Sequence, residues 1–180
     1  MNLNDAKQLG RQLMNQHGMK NIPLVISGGK RTLGVCVWKA GPSLPRHAAD
    51  LNAQIFGIRK SKRERFANAP CKEIRLSKYL IALNDENEIR DTMLHEIAHF
   101  LVGANHGHDR VWRQQAIKIG CNGERTAKTA EMPKGRYKAE CQCGKVYFKH
   151  RKGKNVLKAN WFRCGVCNKS IQFYDTMATV

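Results

Sequence analysis

Two histidines with a glutamate between them stand out in the run His95-Glu96-Ile97-Ala98-His99. On a helix, residues four apart project from one face, so both imidazoles can bind a single Zn²⁺ ion. Glu96 can then lie beside the open coordination position without filling it. From there it accepts a proton from water that the metal has made more acidic. This is the constellation of a zinc metalloendopeptidase of the HExxH type. With 7 His and eight Glu among 180 residues, chance alone would place the pattern in about 1% of chains of this composition.

A catalytic zinc takes three protein ligands and leaves the fourth position to water. The candidates for the third are His106, His108 and Glu124. The extended metzincin pattern needs Gly three and His six residues after the second ligand. Those positions hold Val102 and Asn105, so that pattern fails. Glu124 lies between Gly123 and Arg125 with no helical pattern to aim it. His108 follows Gly107 and opens a helix with Trp112 one turn on, so a tight turn favours it over His106.

Four of the seven cysteines form two close pairs, Cys141 with Cys143 and Cys164 with Cys167. Two thiol pairs about twenty residues apart suit a tetrahedral structural Zn²⁺ site on a β-ribbon. A segment this short and polar needs such a staple to fold. Because Cys141-x-Cys143 is tighter than the usual spacing, His150 is an alternative to one member of the first pair. Cys36, Cys71 and Cys121 are isolated and read as core or surface residues. The total is odd and Met1 to Lys20 is not a secretory signal, so a disulfide framework is not expected.

Charge points to a polyanionic partner. Lys plus Arg is 32 against 14 Asp plus Glu, a formal net charge of +18. An excess of this size in a small globular protein fits contact with nucleic acid. The cations crowd the carboxyl end, where Lys145, Lys149, Arg151, Lys152, Lys154 and Lys158 are interleaved with Tyr147, Phe148, Trp161 and Phe162. Such cations neutralise phosphates, and an exposed ring can stack on an unpaired base. A second basic run, Arg59 to Arg65, is either a solvated loop or another polyanion contact. Apolar residues at 42% argue against disorder, and no apolar run is long enough to span a bilayer. A cytoplasmic, nucleoid-associated location is expected, or a nuclear one in a eukaryotic host.

The elements that must position these residues follow from periodicity. Leu3, Ala6, Leu9 and Leu13 predict a helix over residues 3–17 that stops at Gly18. Strands are expected over Ile22–Ile26, Thr32–Trp38 and Cys71–Leu76, with a turn at Gly28-Gly29 and a short helix near Ala48–Phe56. Acidic residues from Asp85 to Glu88 open the helix that carries the histidines, which should end near Gly103. Another helix runs from about His108 to Ile119. Composition changes at Arg125, beyond which thirteen Lys or Arg face three acidic residues. This sets domains at 1–124 and 125–180, with the linker near Met132-Pro133-Lys134-Gly135.

These residues resemble the SprT-like metallopeptidases, which include bacterial SprT proteins and eukaryotic Spartan. The likeness rests on Ile74-Arg-Leu76-Ser77, on Leu94 to His99, and on Gly107-His108 ahead of Trp112. At the carboxyl end it extends to Cys141-Gln-Cys143-Gly144 and Trp161-Phe-Arg163-Cys164-Gly-Val-Cys167, though Tyr137 lies four residues before Cys141 rather than two. The resemblance implies an α+β fold, with a zincin-like metallopeptidase domain built from a small sheet and an active-site helix, then a zinc ribbon. It implies His95, His99 and His108 as ligands of the catalytic zinc and Glu96 as general base. By resemblance to Spartan, the substrates would be proteins bound or crosslinked to DNA. Two rivals stand beside this reading. One is a non-catalytic, zinc-containing nucleic-acid-binding adaptor or transcription-associated factor, against which the intact Glu96 speaks. The other is a zinc hydrolase acting on something other than protein.

Overall fold

The computed structural model describes residues 1–39 and 69–177. The expected helix at Ala48–Phe56 and the basic run Arg59 to Arg65 lie outside the described residues. The chain divides into two compact units, Met1–Met132 and Pro133–Val180. The composition change at Arg125 therefore precedes the structural division by eight residues. The described part is α+β with small sheets.

In the first unit, α1 spans Leu3–Gln16 and buries Ala6, Leu9, Leu13 and Met14. The Asn2 side chain caps it by accepting from the backbone N–H groups of Asn4 and Asp5, each at 2.9 Å. Three strands follow: β1 at Leu24–Ser27, β2 at Gly34–Trp38 and β3 at Cys71–Ser77. Their order is β1-β3-β2, with β1 parallel and β2 antiparallel to the central β3. Leu24 and Cys36 both pair with Ile74, and the β2–β3 register shifts between Val37 and Trp38. The first two strands start two residues later than their apolar patterns suggested.

Ser77 ends β3 and caps α2, Lys78–Leu83, an element the sequence reading passed over. The histidine-bearing helix α3 spans Glu86–Val102. Asp85 caps it by accepting from Glu88 N–H at 2.9 Å, and Glu86 and Glu88 place negative charge at the positive end of its dipole. Gly103, at φ 87°, stops it. Ile89, Met93 and Ile97 are fully buried on its inner face, each contributing roughly 1.5–3 kcal/mol by removal from water. The last helix, α4, spans Arg110–Lys118 rather than starting at His108, because the Asp109 side chain accepts from Trp112 N–H at 3.0 Å. These helices and the sheet share one apolar core.

The second unit is a set of short strands: β4 at Tyr137–Glu140, β5 at Val146–Lys149, β6 at Phe162–Arg163, β7 at Ser170–Ile171 and β8 at Tyr174–Asp175. They pair as β5-β4-β8 and β6-β7, all antiparallel. Its own small core holds Tyr137, Ala139, Val156, Ile171 and Phe173 together with Cys141 and Cys164. Among the described residues, no helix is long and apolar enough to cross a membrane.

Candidate active site

The one-face geometry of α3 sends His95 and His99 into a cleft of about 600 Å³. The turn before α4 delivers His108 to the same point. His108 Nε2 lies 2.9 Å from His95 Nε2 and 3.1 Å from His99 Nε2. One imidazole nitrogen has either one proton or one lone pair, so it cannot satisfy both neighbours by hydrogen bonding. A cation meeting three lone pairs does satisfy them. Tetrahedral Zn²⁺ with bonds near 2.05 Å would separate the nitrogens by about 3.3 Å, a few tenths of an ångström more than observed. The donor set and its spacing therefore fit zinc.

The rings are held neutral. Burial pushes His95 down to about 4, with the neighbouring His108 acting in the same sense. His99 falls to about 3 through burial and then through His95 and His108. Backbone hydrogen bonds at Glu124 and His106 act the other way on His95 and His99 respectively. Such an acceptor on one ring nitrogen leaves the other free for metal. Beneath the three histidines lies Trp112, 1% exposed, its ring centroid 4.6 Å from His95, 5.3 Å from His99 and 4.6 Å from His108. It forms a shared floor that fixes the ring orientations.

The other candidates for third ligand are occupied elsewhere. His106 Nδ1 pairs with Asp109 Oδ2 at 2.9 Å, which closes the turn that presents His108. Glu124 lines the cleft, but its carboxylate faces Lys128 at 3.4 Å.

Glu96 lines the cleft with the histidines and is only 6% exposed. Its Oε2 accepts a 2.6 Å hydrogen bond from the Cys36 backbone N–H, so β2 pins the carboxylate. Burial raises its pKa to about 7, opposed by that N–H and assisted by Cys71. The strand can come this close because Gly34 lacks a side chain. A Cβ there would stand 2.9 Å from Glu96 Cγ and 3.0 Å from Thr92 Cγ2.

The second unit gathers Cys141, Cys143, Cys164 and Cys167, whose sulfurs lie within 4.8 Å of one another. The Cys141–Cys167 and Cys143–Cys164 separations are 3.3 and 3.6 Å, against about 3.8 Å for tetrahedral thiolates on zinc. His150 is not in the group. The tight Cys141-x-Cys143 spacing works because Gly144, at φ 83°, turns the chain and bonds back to the Cys141 carbonyl at 2.9 Å. Asn168, at φ 56°, plays the same part after Cys167, bonding the Cys164 carbonyl. The Tyr147 hydroxyl lies 3.0 Å from Cys164 Sγ and accepts from Gly165 N–H at 2.9 Å. The hydroxyl, followed by a backbone N–H at Cys167, draws the Cys164 thiol down to about 5. A thiolate at neutral pH is what a metal requires.

The basic residues of this unit divide. Lys145, Arg151, Lys152, Lys154 and Lys158 are exposed. Lys149 instead lies over the Phe162 ring at 3.4 Å and near Phe173 at 4.8 Å, where burial lowers its pKa. Among the aromatics, Tyr147 and Phe162 pack against the small core, whereas Phe148 and Trp161 are 40% and 59% exposed. Sequence reading missed three working parts: Gly34, the Tyr147 hydroxyl, and the meeting of Cys36 with Cys71, whose sulfurs lie 3.4 Å apart. Only the pairing of β2 with β3 exposes the last.

The family model described as the SprT-like family matches residues 5–132. Protein SprT of Yersinia pestis is 28% identical over 109 residues, covering 56% of this chain and 64% of that protein. Protein SprT of Yersinia pseudotuberculosis serotype O:1b (strain IP 31758) matches with the same identity and coverage. The chain thus spans 64% of the length of these curated relatives. No solved structure matches it.

Proposed function

This chain belongs to the SprT-like family, and from that premise we propose that it is a zinc-dependent endopeptidase of zincin-like architecture that works on DNA. The observation that carries the reading is the convergence of three imidazole nitrogens beside a buried carboxylate in one open cleft. His95, His99 and His108 would hold Zn²⁺. When bound, the ion acidifies water and polarises a carbonyl group. Glu96 takes the proton from the attacking water and later delivers it to the leaving amine. Its environment suits both roles. Burial makes the carboxylate basic, and the Cys36 N–H keeps it oriented. Trp112 keeps the three rings converged while substrate enters.

Cys141, Cys143, Cys164 and Cys167 would hold a structural Zn²⁺ that keeps the ribbon folded. The exposed Lys145, Arg151, Lys152, Lys154 and Lys158 support contact with phosphates, and Trp161 offers an exposed ring to an unstacked base. Lys149 is assigned a packing role instead. Proteins bound or crosslinked to DNA are the proposed substrates, since the ribbon would bring the protease to them.

The test is proteolysis of a DNA-binding protein with and without DNA, comparing wild type with Glu96→Gln at measured zinc content. The substitution keeps shape and removes the base, so zinc should stay while the rate falls about 10²–10⁴-fold. Equal cleavage by the two proteins would refute the assignment of Glu96.

A further inference from the structure

Cys36 and Cys71 stand 35 positions apart in the chain, yet their sulfurs lie 3.4 Å from each other. The cause is local. β2 and β3 pair antiparallel, Trp38 lies opposite Cys71, and the register shift between Val37 and Trp38 brings Cys36 diagonally against Cys71 on the same face. Both are buried, at 7% and 6% exposure, but Cys36 lines the open cleft of the histidine centre. Cys36 thereby offers one end of the pair to a small solute in that cleft. The ribbon cysteines form a group of their own.

We infer that Cys36 and Cys71 form a redox-active dithiol that a peroxide closes into a disulfide, releasing the grip of β2 on Glu96. The two thiols differ in a way that favours the reaction. The contact between the two sulfurs raises the pKa of Cys36 and lowers that of Cys71. The Cys71 thiolate attacks one oxygen of hydrogen peroxide, the O–O bond breaks, and hydroxide leaves, giving a sulfenic acid. Cys36 sulfur then attacks Cys71 sulfur, the S–O bond breaks, and water departs with the Cys36 proton. The proton first lost by Cys71 neutralises the hydroxide. In sum, two thiols and one peroxide become one disulfide and two waters, with sulfur oxidised and peroxide oxygen reduced.

The consequence for the site follows from one residue carrying two functions. Closing the bond shortens the sulfur separation from 3.4 Å to about 2.05 Å. Drawing the sulfurs together pulls on the strand at Cys36, whose backbone N–H holds Glu96 Oε2 at 2.6 Å. A misplacement of about 1 Å at a catalytic group costs on the order of 10²-fold, so a loss of tenfold or more is expected. This part rests on the general-base role proposed for Glu96, whereas formation of the disulfide does not.

The experiment treats the full-length, zinc-loaded protein with increasing hydrogen peroxide, blocks remaining thiols by alkylation, and maps the peptides by mass spectrometry. Zinc release is followed in the same samples, so that doses attacking the ribbon thiolates are set aside. The expected result is a peptide linking Cys36 to Cys71, lighter by two hydrogens and reversed by dithiothreitol, while Cys121 stays reduced. Proteolysis should fall at least tenfold in step with the link and return on reduction. Cys71→Ser, with Cys71→Ala as a second variant, should keep its starting activity through the same treatment. Oxidation that reaches either cysteine without linking them, or that takes Cys121 equally fast, overturns the dithiol. A disulfide that forms while cleavage continues overturns its link to Glu96, provided Glu96→Gln is inactive. If Glu96→Gln is itself fully active, the general-base reading fails, and the mass measurement still decides the disulfide.

Discussion

Replacing Gly34 with alanine tests whether β2 positions Glu96, the proposed general base, because a single methyl group is aimed at it. The added Cβ would lie 2.9 Å from Glu96 Cγ, 3.0 Å from Glu96 Oε1 and 3.0 Å from Thr92 Cγ2, where ordinary contact begins at 3.4 Å. At least 0.5 Å of relief is therefore needed at Cγ, since 3.4 − 2.9 = 0.5. Thr92 is β-branched and sits on the same helix, so it yields little. The Glu96 carboxylate or the strand must give way, and either movement strains the 2.6 Å bond from Cys36 N–H. Overpacking of this kind costs about 1–3 kcal/mol, less than the roughly 5–15 kcal/mol that holds a domain together. The protein should stay folded and keep its zinc. Catalysis should suffer more, about 10- to 10²-fold in kcat, scaled from the cost of an ångström's misplacement and bounded by the roughly 10²–10⁴ attached to the base itself. Gly28→Ala is the control, because a methyl group there would meet nothing within 4 Å and the backbone is not left-handed. Steady-state proteolysis, zinc content and the thermal midpoint, measured together, decide the matter. Gly34→Ala cleaving within twofold of wild type would refute the claim that this strand holds Glu96 in place.

Metal analysis of the purified protein should find two zinc ions per chain, with His99→Ala losing one and Cys164→Ser the other. A single zinc lost in only one variant would leave the other centre without a metal. Tyr147→Phe removes the hydroxyl beside Cys164, and loss of such a metal-supporting group costs about 10–100-fold in affinity, read as easier extraction of the ribbon zinc by a competing chelator. DNA affinity should fall with salt at a slope of about −0.7 to −0.9 per phosphate contact. Neutralising Arg151, Lys152, Lys154 and Lys158 together should flatten that slope with both metals retained, whereas Lys149→Gln should chiefly lower ribbon stability. An unchanged slope in the quadruple variant would place the DNA contact elsewhere.

By itself the sequence determined what depends on near neighbours. The four-residue spacing of His95 and His99 places them on one face of any helix. Asp85 and Gly103 mark the ends of that helix through capping chemistry that acts within a turn. The two cysteine pairs raise the expectation of a metal site, since four thiols in so short a segment suit tetrahedral ligation. Tertiary structure decides which of the locally equivalent residues come together. His106 and His108 flank the same glycine, and their roles separate only because Asp109 both caps α4 and captures His106. His150 and Cys141 are equivalent candidates by spacing, but the left-handed turn at Gly144 folds the tight cysteine pair into a four-sulfur cluster that does not include His150. Tyr147 and Phe148 are adjacent aromatics on β5, and alternation along the strand sends one to the Cys164 sulfur and leaves the other exposed. Cys36 and Cys71 read as isolated because their meeting depends on a strand register, and Gly34 read as an ordinary strand residue because its neighbour Glu96 is 62 positions away. Local patterns encode the direction a side chain leaves the backbone. What it meets there is set by loop closure and core packing, to which the whole chain contributes.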